Sequence, residues 1–250
     1  MSDTPSTPAI ALYGVRKTYG RQVAVSNLTL EIPRGELFAF LGPNGAGKTT
    51  TIKMIVGLLR PDTGTVTVCG HTIGANGLAA KARLAYVPDL PFLYDKLTGR
   101  EFLYFVAEMF AISAETRDRR LEELFRRLDI GDYVNQLTES YSHGMKQKIV
   151  LAAAMLHEPE VLIIDEPMVG LDPRTVRAVK DLFLEHTKRG GTVFMSTHTL
   201  EVAEALANRI GIIRRGELVA IGTLPELRAQ AQRQQSLEEI FLSLTETENG

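Results

Sequence analysis

The sequence predicts an α/β protein in which a buried parallel sheet carries helices, beside an antiparallel β layer and with a helical insertion between two α/β parts. Three observations predict it. Leu37 to Leu41 is a short unbroken apolar run that leads directly into glycines and a helix-forming stretch, the pattern of a strand buried on both faces. Residues 95–157 then read mainly in helical period. Val161 to Ile164 and Thr192 to Met195 return as β-branched or apolar runs of the parallel-sheet type, with a helical segment Val176 to Lys188 between them.

Taken in order, Ile10 to Val15 and Val23 to Ile32 are β-rich, with turn chemistry at Gly20 and at Pro33-Arg34-Gly35, and form the antiparallel layer. A helix is expected from Lys48 to Leu59. Thr65 to Val68 alternates after Pro61-Asp62-Thr63-Gly64 and reads as a strand reached through a tight turn. In the insertion, Thr98 and Glu101 make a capping box before Phe102, Phe105, Val106 and Met109 at helical spacing; Leu121, Leu124, Phe125 and Leu128 mark a second helix. A third helix follows Ser142. Ile210 to Ile213 and Glu217 to Ile221 flank Arg214-Arg215-Gly216 as a hairpin. Ser236 and Glu239 form another capping box, ahead of Leu237, Ile240, Phe241 and Leu244 on one helical face, which is expected to pack within the chain.

With 250 residues, 44% of them hydrophobic and 23% charged, the chain can bury a substantial core. Its 28 basic and 30 acidic residues leave a formal charge of −2, no field with which to grip a polyanion, so nucleic acid is not an expected partner. The single cysteine, Cys69, cannot close an internal disulfide, and the five histidines lack metal-ligand spacing, which suits a reducing cytoplasm. The N-terminus reads as a polar leader without a secretory signal, and the longest apolar run, Ile149 to Leu156, is far below the ~18 residues that span a bilayer. Any membrane role is therefore expected to come through a partner.

Residues 42–49, Gly42, Pro43, Asn44, Gly45, Ala46, Gly47, Lys48 and Thr49, match Gly-x4-Gly-Lys-Ser/Thr in full, between an expected buried strand and an expected helix. Glycines let the backbone wrap phosphate oxygens with its N–H groups inward, where side chains would collide. Lys48 supplies a positive charge for the β- and γ-phosphates, Thr49 a hydroxyl for Mg²⁺, and the helix N-terminus, continued by Thr50, a partial positive charge. The loop alone leaves kinases and GTPases open. Val161-Leu-Ile-Ile-Asp165-Glu166 adds two carboxylates at the C-terminal end of a buried strand, where ligands sit in open α/β sheets. Asp165 is assigned to Mg²⁺ and Glu166 to orienting or deprotonating an attacking water.

With these residues the sequence resembles the ATP-binding cassette (ABC) family over nearly its whole length. Tyr141-Ser142-His143-Gly144-Met145-Lys146-Gln147 looks like the family signature, Gly170-Leu171-Asp172-Pro173 like the D-loop, His198 like the switch histidine that contacts the γ-phosphate, and Tyr19 like the aromatic residue stacked on adenine. The resemblance implies a P-loop NTPase (RecA-like) core with an antiparallel β layer and an inserted α-helical subdomain. It divides a single cassette into an α/β core (8–94 and 158–225), a helical signature subdomain (95–157) and a C-terminal helical tail (226–250). It implies ATP and Mg²⁺ as cofactors and hydrolysis shared by two subunits, a homodimer or a heterodimer, in which Ser142 and Gly144 of one face the nucleotide of the other. It also implies a separate transmembrane permease as partner, with the chain on the cytoplasmic face of the membrane through that partner alone. A soluble cassette acting in cofactor assembly or another non-transport role is the rival reading.

Two departures stand out. His143 replaces the signature's first glycine and Met145 its glutamine, a variant similar to ATPases paired with ABC-2-type exporter permeases. Asp89, in Tyr86-Val87-Pro88-Asp89, takes the place of the glutamine that faces the nucleotide and Mg²⁺, and an ionised carboxylate cannot donate a hydrogen bond. The following segment, Leu90 to Leu97, is apolar for a loop and is expected, with the first insertion helix, to form a groove for a cytoplasmic helix of the permease, Phe92 and Leu93 being the residues to test.

Overall fold

Side chains alternate across a strand, and in this protein the alternation divides the core into two. The computed structural model describes residues 7–74, 77–230 and 236–245. In β3 (Leu37–Leu41), Leu37, Ala39 and Leu41 face one apolar cluster and Phe38 and Phe40 the other, all fully buried. β7 (Val161–Asp165) and β8 (Thr192–Thr197) repeat the division, with Leu162, Ile164, Val193 and Met195 on the first side and Val161, Ile163 and Phe194 on the second. Phe194 lies between Phe38 and Phe40, with ring centroids at 5.7 and 5.4 Å, and each such buried ring contributes about 1.5–3 kcal/mol.

These strands are the centre of a six-stranded sheet that adds β6 (Leu84–Val87), β9 (Arg209–Arg214) and β10 (Glu217–Gly222), in the order β10-β9-β3-β8-β7-β6. All neighbours are parallel except β9 and β10, the expected hairpin. A second, antiparallel sheet has the order β2-β1-β4-β5, from β1 (Ile10–Tyr19), β2 (Gln22–Ile32), β4 (Thr63–Val68) and β5 (His71–Thr72). It packs on the Phe38 side together with α1 (Lys48–Ile55); α2 (Leu78–Lys81) lies beside β5 and β6.

The helices of the other side are α3 (Gly99–Met109), α4 (Ala114–Leu128), α5 (His143–Leu156), α6 (Pro173–Lys188), α7 (Leu200–Leu206), α8 (Leu224–Gln230) and α9 (Leu237–Thr245). The capping box at Thr98 and Glu101 starts α3, and Ser236 and Glu239 exchange the same pair of bonds ahead of α9. Leu237 and Ile240 are buried against the core, as expected. Residues 231–235 and 246–250 of the expected helical tail lie outside the described residues. Among the described residues no helix is long and apolar enough to cross a membrane.

Some expectations need correction. α1 stops at Ile55 rather than Leu59, because Gly57 turns left-handed at φ 74° and the amides of Leu58 and Leu59 both fold back onto the Lys53 carbonyl. In α3 the buried face is Gly99, Leu103 and Ala107; Phe105 and Met109 point outward, and Phe102 and Val106 are only half-buried. Leu93, expected on a docking loop, is a core residue at 4% exposure.

Candidate nucleotide site

Sheet register brings the site together. Leu41, the last residue of β3, pairs with Thr197 of β8, and Ser196 pairs with Asp165 of β7, so three strands end side by side at their C-terminal edge. The phosphate loop leaves β3 and α1 begins at Lys48. A Cβ at Gly42 would come within 2.5 Å of the Ile213 carbonyl oxygen, and one at Gly47 within 2.5 Å of that of Ala24. Gly47 also sits at φ 112°, which side chains rarely adopt, so only glycine fits there. Lys48 is buried, and its Nζ donates to the carbonyls of Gly42 at 2.6 Å and Pro43 at 3.3 Å. Burial pushes its pKa down, against the pull of the Glu166 and Asp165 carboxylates.

Asp165 accepts from Thr49 Oγ1 at 3.1 Å on one oxygen and from Ser196 Oγ on the other. Glu166, a left-handed residue at φ 51°, turns its carboxylate the other way. Thr197 Oγ1 donates to Oε2 at 3.2 Å and His198 Nδ1 lies 2.8 Å from Oε1. Ser196 and Thr197 escaped the sequence reading, although two hydroxyls ending a buried strand just before His198 are a usable signal. Tyr19, half exposed at the end of β1, lines a cleft of ≈ 260 Å³ with Gln22, Ala24, Asn44, Gly45 and Gly47 to Thr50. An adjacent carboxylate pair with neighbouring hydroxyls, a buried lysine and a glycine cradle can together hold a phosphate chain and a hard cation through oxygen ligands.

A protein-family model described as ABC transporter matches residues 25–169. The linearmycin resistance ATP-binding protein LnrL of Bacillus subtilis is 38% identical over 213 residues, 85% of this chain and 68% of LnrL. This chain belongs to the ABC transporter family. A solved ATP-binding subunit of an ABC transporter shares the fold with a TM-score of 0.92 at 34% identity, covering 96% of this chain and 100% of that one. The cassette MJ0796, solved as a dimer in a post-hydrolysis state bound to ADP and Pi, aligns at a TM-score of 0.79 and 26% identity over 86% of this chain and 98% of its own. The chain is accordingly an ATP-binding and ATP-hydrolysing subunit of an ABC transporter.

Not every expected residue joins the cluster in this ABC subunit. Ser142 is exposed and caps α5, accepting from Met145 N at 3.3 Å, while a Cβ on Gly144 would meet the Gly170 carbonyl oxygen at 2.9 Å. Among the described residues neither contacts the phosphate loop through a hydrogen bond. Asp89 is exposed, just beyond β6 and so beside the end of β7; its charge and that of Asp165 help raise Tyr86, pushed up to about 12 mainly by burial. No hydrogen bond joins Asp89 to Thr49 or Asp165 among the described residues.

Proposed function

We propose that this subunit powers export through a separate transmembrane permease, working as one of two ATPase subunits that share their nucleotides on the cytoplasmic face of the membrane. The observation that carries the hydrolytic part is the division of labour between adjacent carboxylates, Asp165 tied to Thr49 and Ser196, Glu166 tied to Thr197 and His198. Thr49 and Asp165 would hold Mg²⁺, which supplies charge neutralisation for the phosphates when bound; their oxygens are the hard donors that ion takes, and Asp89 would act from the rim, through water. Residues 42–47 with Thr50 and the Lys48 ammonium would bind the phosphates and Tyr19 would stack on adenine. Glu166 would accept the proton of the attacking water while His198 holds the carboxylate in place and reaches the γ-phosphate.

Ser142 and Gly144 are best used from outside their own chain, since their contacts run to Met145 and Gly170 and not to the phosphate loop. A paired arrangement, as in dimeric MJ0796, gives each a nucleotide to face. For the permease, an apolar cleft of ≈ 300 Å³ runs past Pro88, Phe92, Phe102, Val106 and Phe110, and beside it Leu90, Tyr94 and Phe105 are exposed. A cytoplasmic helix with an apolar face fits this surface. Outward transport is supported by the signature variant and by the resemblance to a resistance protein, because an ATP-driven transporter confers resistance by removing the compound. Glu166→Gln tests the central assignment. ATP binding should persist while turnover falls by about 10²- to 10⁴-fold, the range of a lost general base; wild-type turnover would remove Glu166 from that role.

A further inference from the structure

We propose that His143 is a positioning residue for ATP hydrolysis, its ring packing on Gly170 and holding in register the turn that carries Glu166. The proposal rests on Glu166 as the base. His143 opens α5 directly after Ser142 and is exposed, yet its ring lies hard against Gly170, where an added Cβ would come within 2.6 Å of Cδ2 and 3.4 Å of Nε2. The next residue, Gly144, approaches the Gly170 carbonyl, and one turn further Lys148 Nζ lies 3.9 Å from Asp172, the N-cap of α6. The start of α5 thus contacts positions 170 to 172 in three ways.

On its other side the turn begins at Glu166. Its internal bonds are long, Val169 N to Glu166 O and Leu171 N to Met168 O, both at 3.4 Å, so it has little stiffness of its own. Gly170 follows Glu166 by four positions and is left-handed at φ 74°. A ring pressed on that glycine limits where the turn can sit, and with Glu166 N held to the Ser196 carbonyl at 3.1 Å the turn sets the direction in which the chain runs on from Glu166. A small misplacement of a catalytic group costs rate without costing substrate affinity. Within its own chain His143 touches none of the phosphate-loop residues, so its removal should act mainly on kcat. The Gly170 double variant separates this contact within the chain from any effect on the nucleotide that Ser142 and Gly144 face.

The test is steady-state ATPase activity and ATP affinity of the full chain. His143→Ala should lower kcat about five- to tenfold, in the range of coupling between contacting residues, with KM for ATP within about twofold and an unchanged melting curve. His143→Phe keeps a flat ring at the contact and should retain kcat within about twofold. Gly170→Ala should harm the wild type more than the His143→Ala background, where the obstructing ring is gone. Wild-type kcat in His143→Ala, equal damage from Phe and Ala, or multiplicative losses in the double variant would each overturn the proposal. Glu166→Gln measured in parallel separates the two readings. Full turnover there overturns the base assignment and the proposal with it, whereas a dead Glu166→Gln beside an unaffected His143→Ala overturns the positioning role alone.

Discussion

His198 Nδ1 lies 2.8 Å from Glu166 Oε1, and the residue before it, Thr197, donates to the other oxygen of the same carboxylate at 3.2 Å. Thr197, the last residue of β8, and His198 just after it thereby clamp the side chain of Glu166, the first residue beyond β7. The carboxylate oxygen accepts, so Nδ1–H is the donor in this contact. The glutamate side chain is 13% exposed and the histidine 60%, so the clamp reaches from the buried strand ends toward solvent.

The first prediction concerns that clamp. His198→Ala leaves Glu166 with only the Thr197 bond, free to swing, and should lower kcat about 10- to 10²-fold, less than loss of the base itself. ATP affinity should change little, because Lys48, Thr49 and the loop glycines are untouched. Equilibrium nucleotide binding alongside single-turnover hydrolysis separates the two effects; an equal loss in both would place His198 in ground-state binding instead.

Much of this is legible in the sequence. β3, β7 and β8 announce themselves as short apolar runs because both faces are buried, and the capping boxes at Thr98 and Ser236 mark helix starts by chemistry that needs no tertiary contact. β6 was hidden, since Leu84 to Val87 is only four residues and gains its strand character from pairing with β7. So was the orientation of α3, where the spacing of Phe105 and Met109 is helical but Gly99, which has Tyr141 against it, sets which face turns inward. The bonds from Ser196 and Thr197 to the two carboxylates depend on strand register, a relation between segments some 30 residues apart that no local pattern carries.

A second prediction separates surface from core in the loop beyond Asp89. Phe92 is 74% exposed and Leu93 4% exposed, although they are neighbours. Phe92→Asp should leave melting temperature and basal ATP hydrolysis near wild type while abolishing co-purification with the permease. Leu93→Asp buries an unpaired carboxylate and should destabilise the fold by several kcal/mol, with activity lost through unfolding. If Phe92→Asp still co-purifies with the permease, the docking surface lies elsewhere.

The third prediction is a pH dependence of stability set by two histidines away from the nucleotide. His157 stacks on Phe110 with ring centroids 3.8 Å apart and bonds the Leu84 carbonyl at 3.3 Å through Nε2; His186 is buried with Nε2 unpartnered and its ring against Gly191. Burial holds both below the usual 6.5, so the folded protein resists the proton that the unfolded chain accepts. Well above pH 6.5 neither state binds it, and these groups give no slope. As pH falls through 6.5 the unfolded chain holds more protons than the folded protein, and stability declines. His157→Phe keeps a flat ring on Phe110 but cannot titrate. It should be less stable than wild type at pH 7 by about 0.5–1.5 kcal/mol, the worth of the lost Leu84 bond, and the gap should narrow as pH is lowered from 6.5 toward 5. Denaturant midpoints of the two proteins at a series of pH values measure this directly, and a gap that stays constant or widens would mean that His157 is protonated in the folded protein.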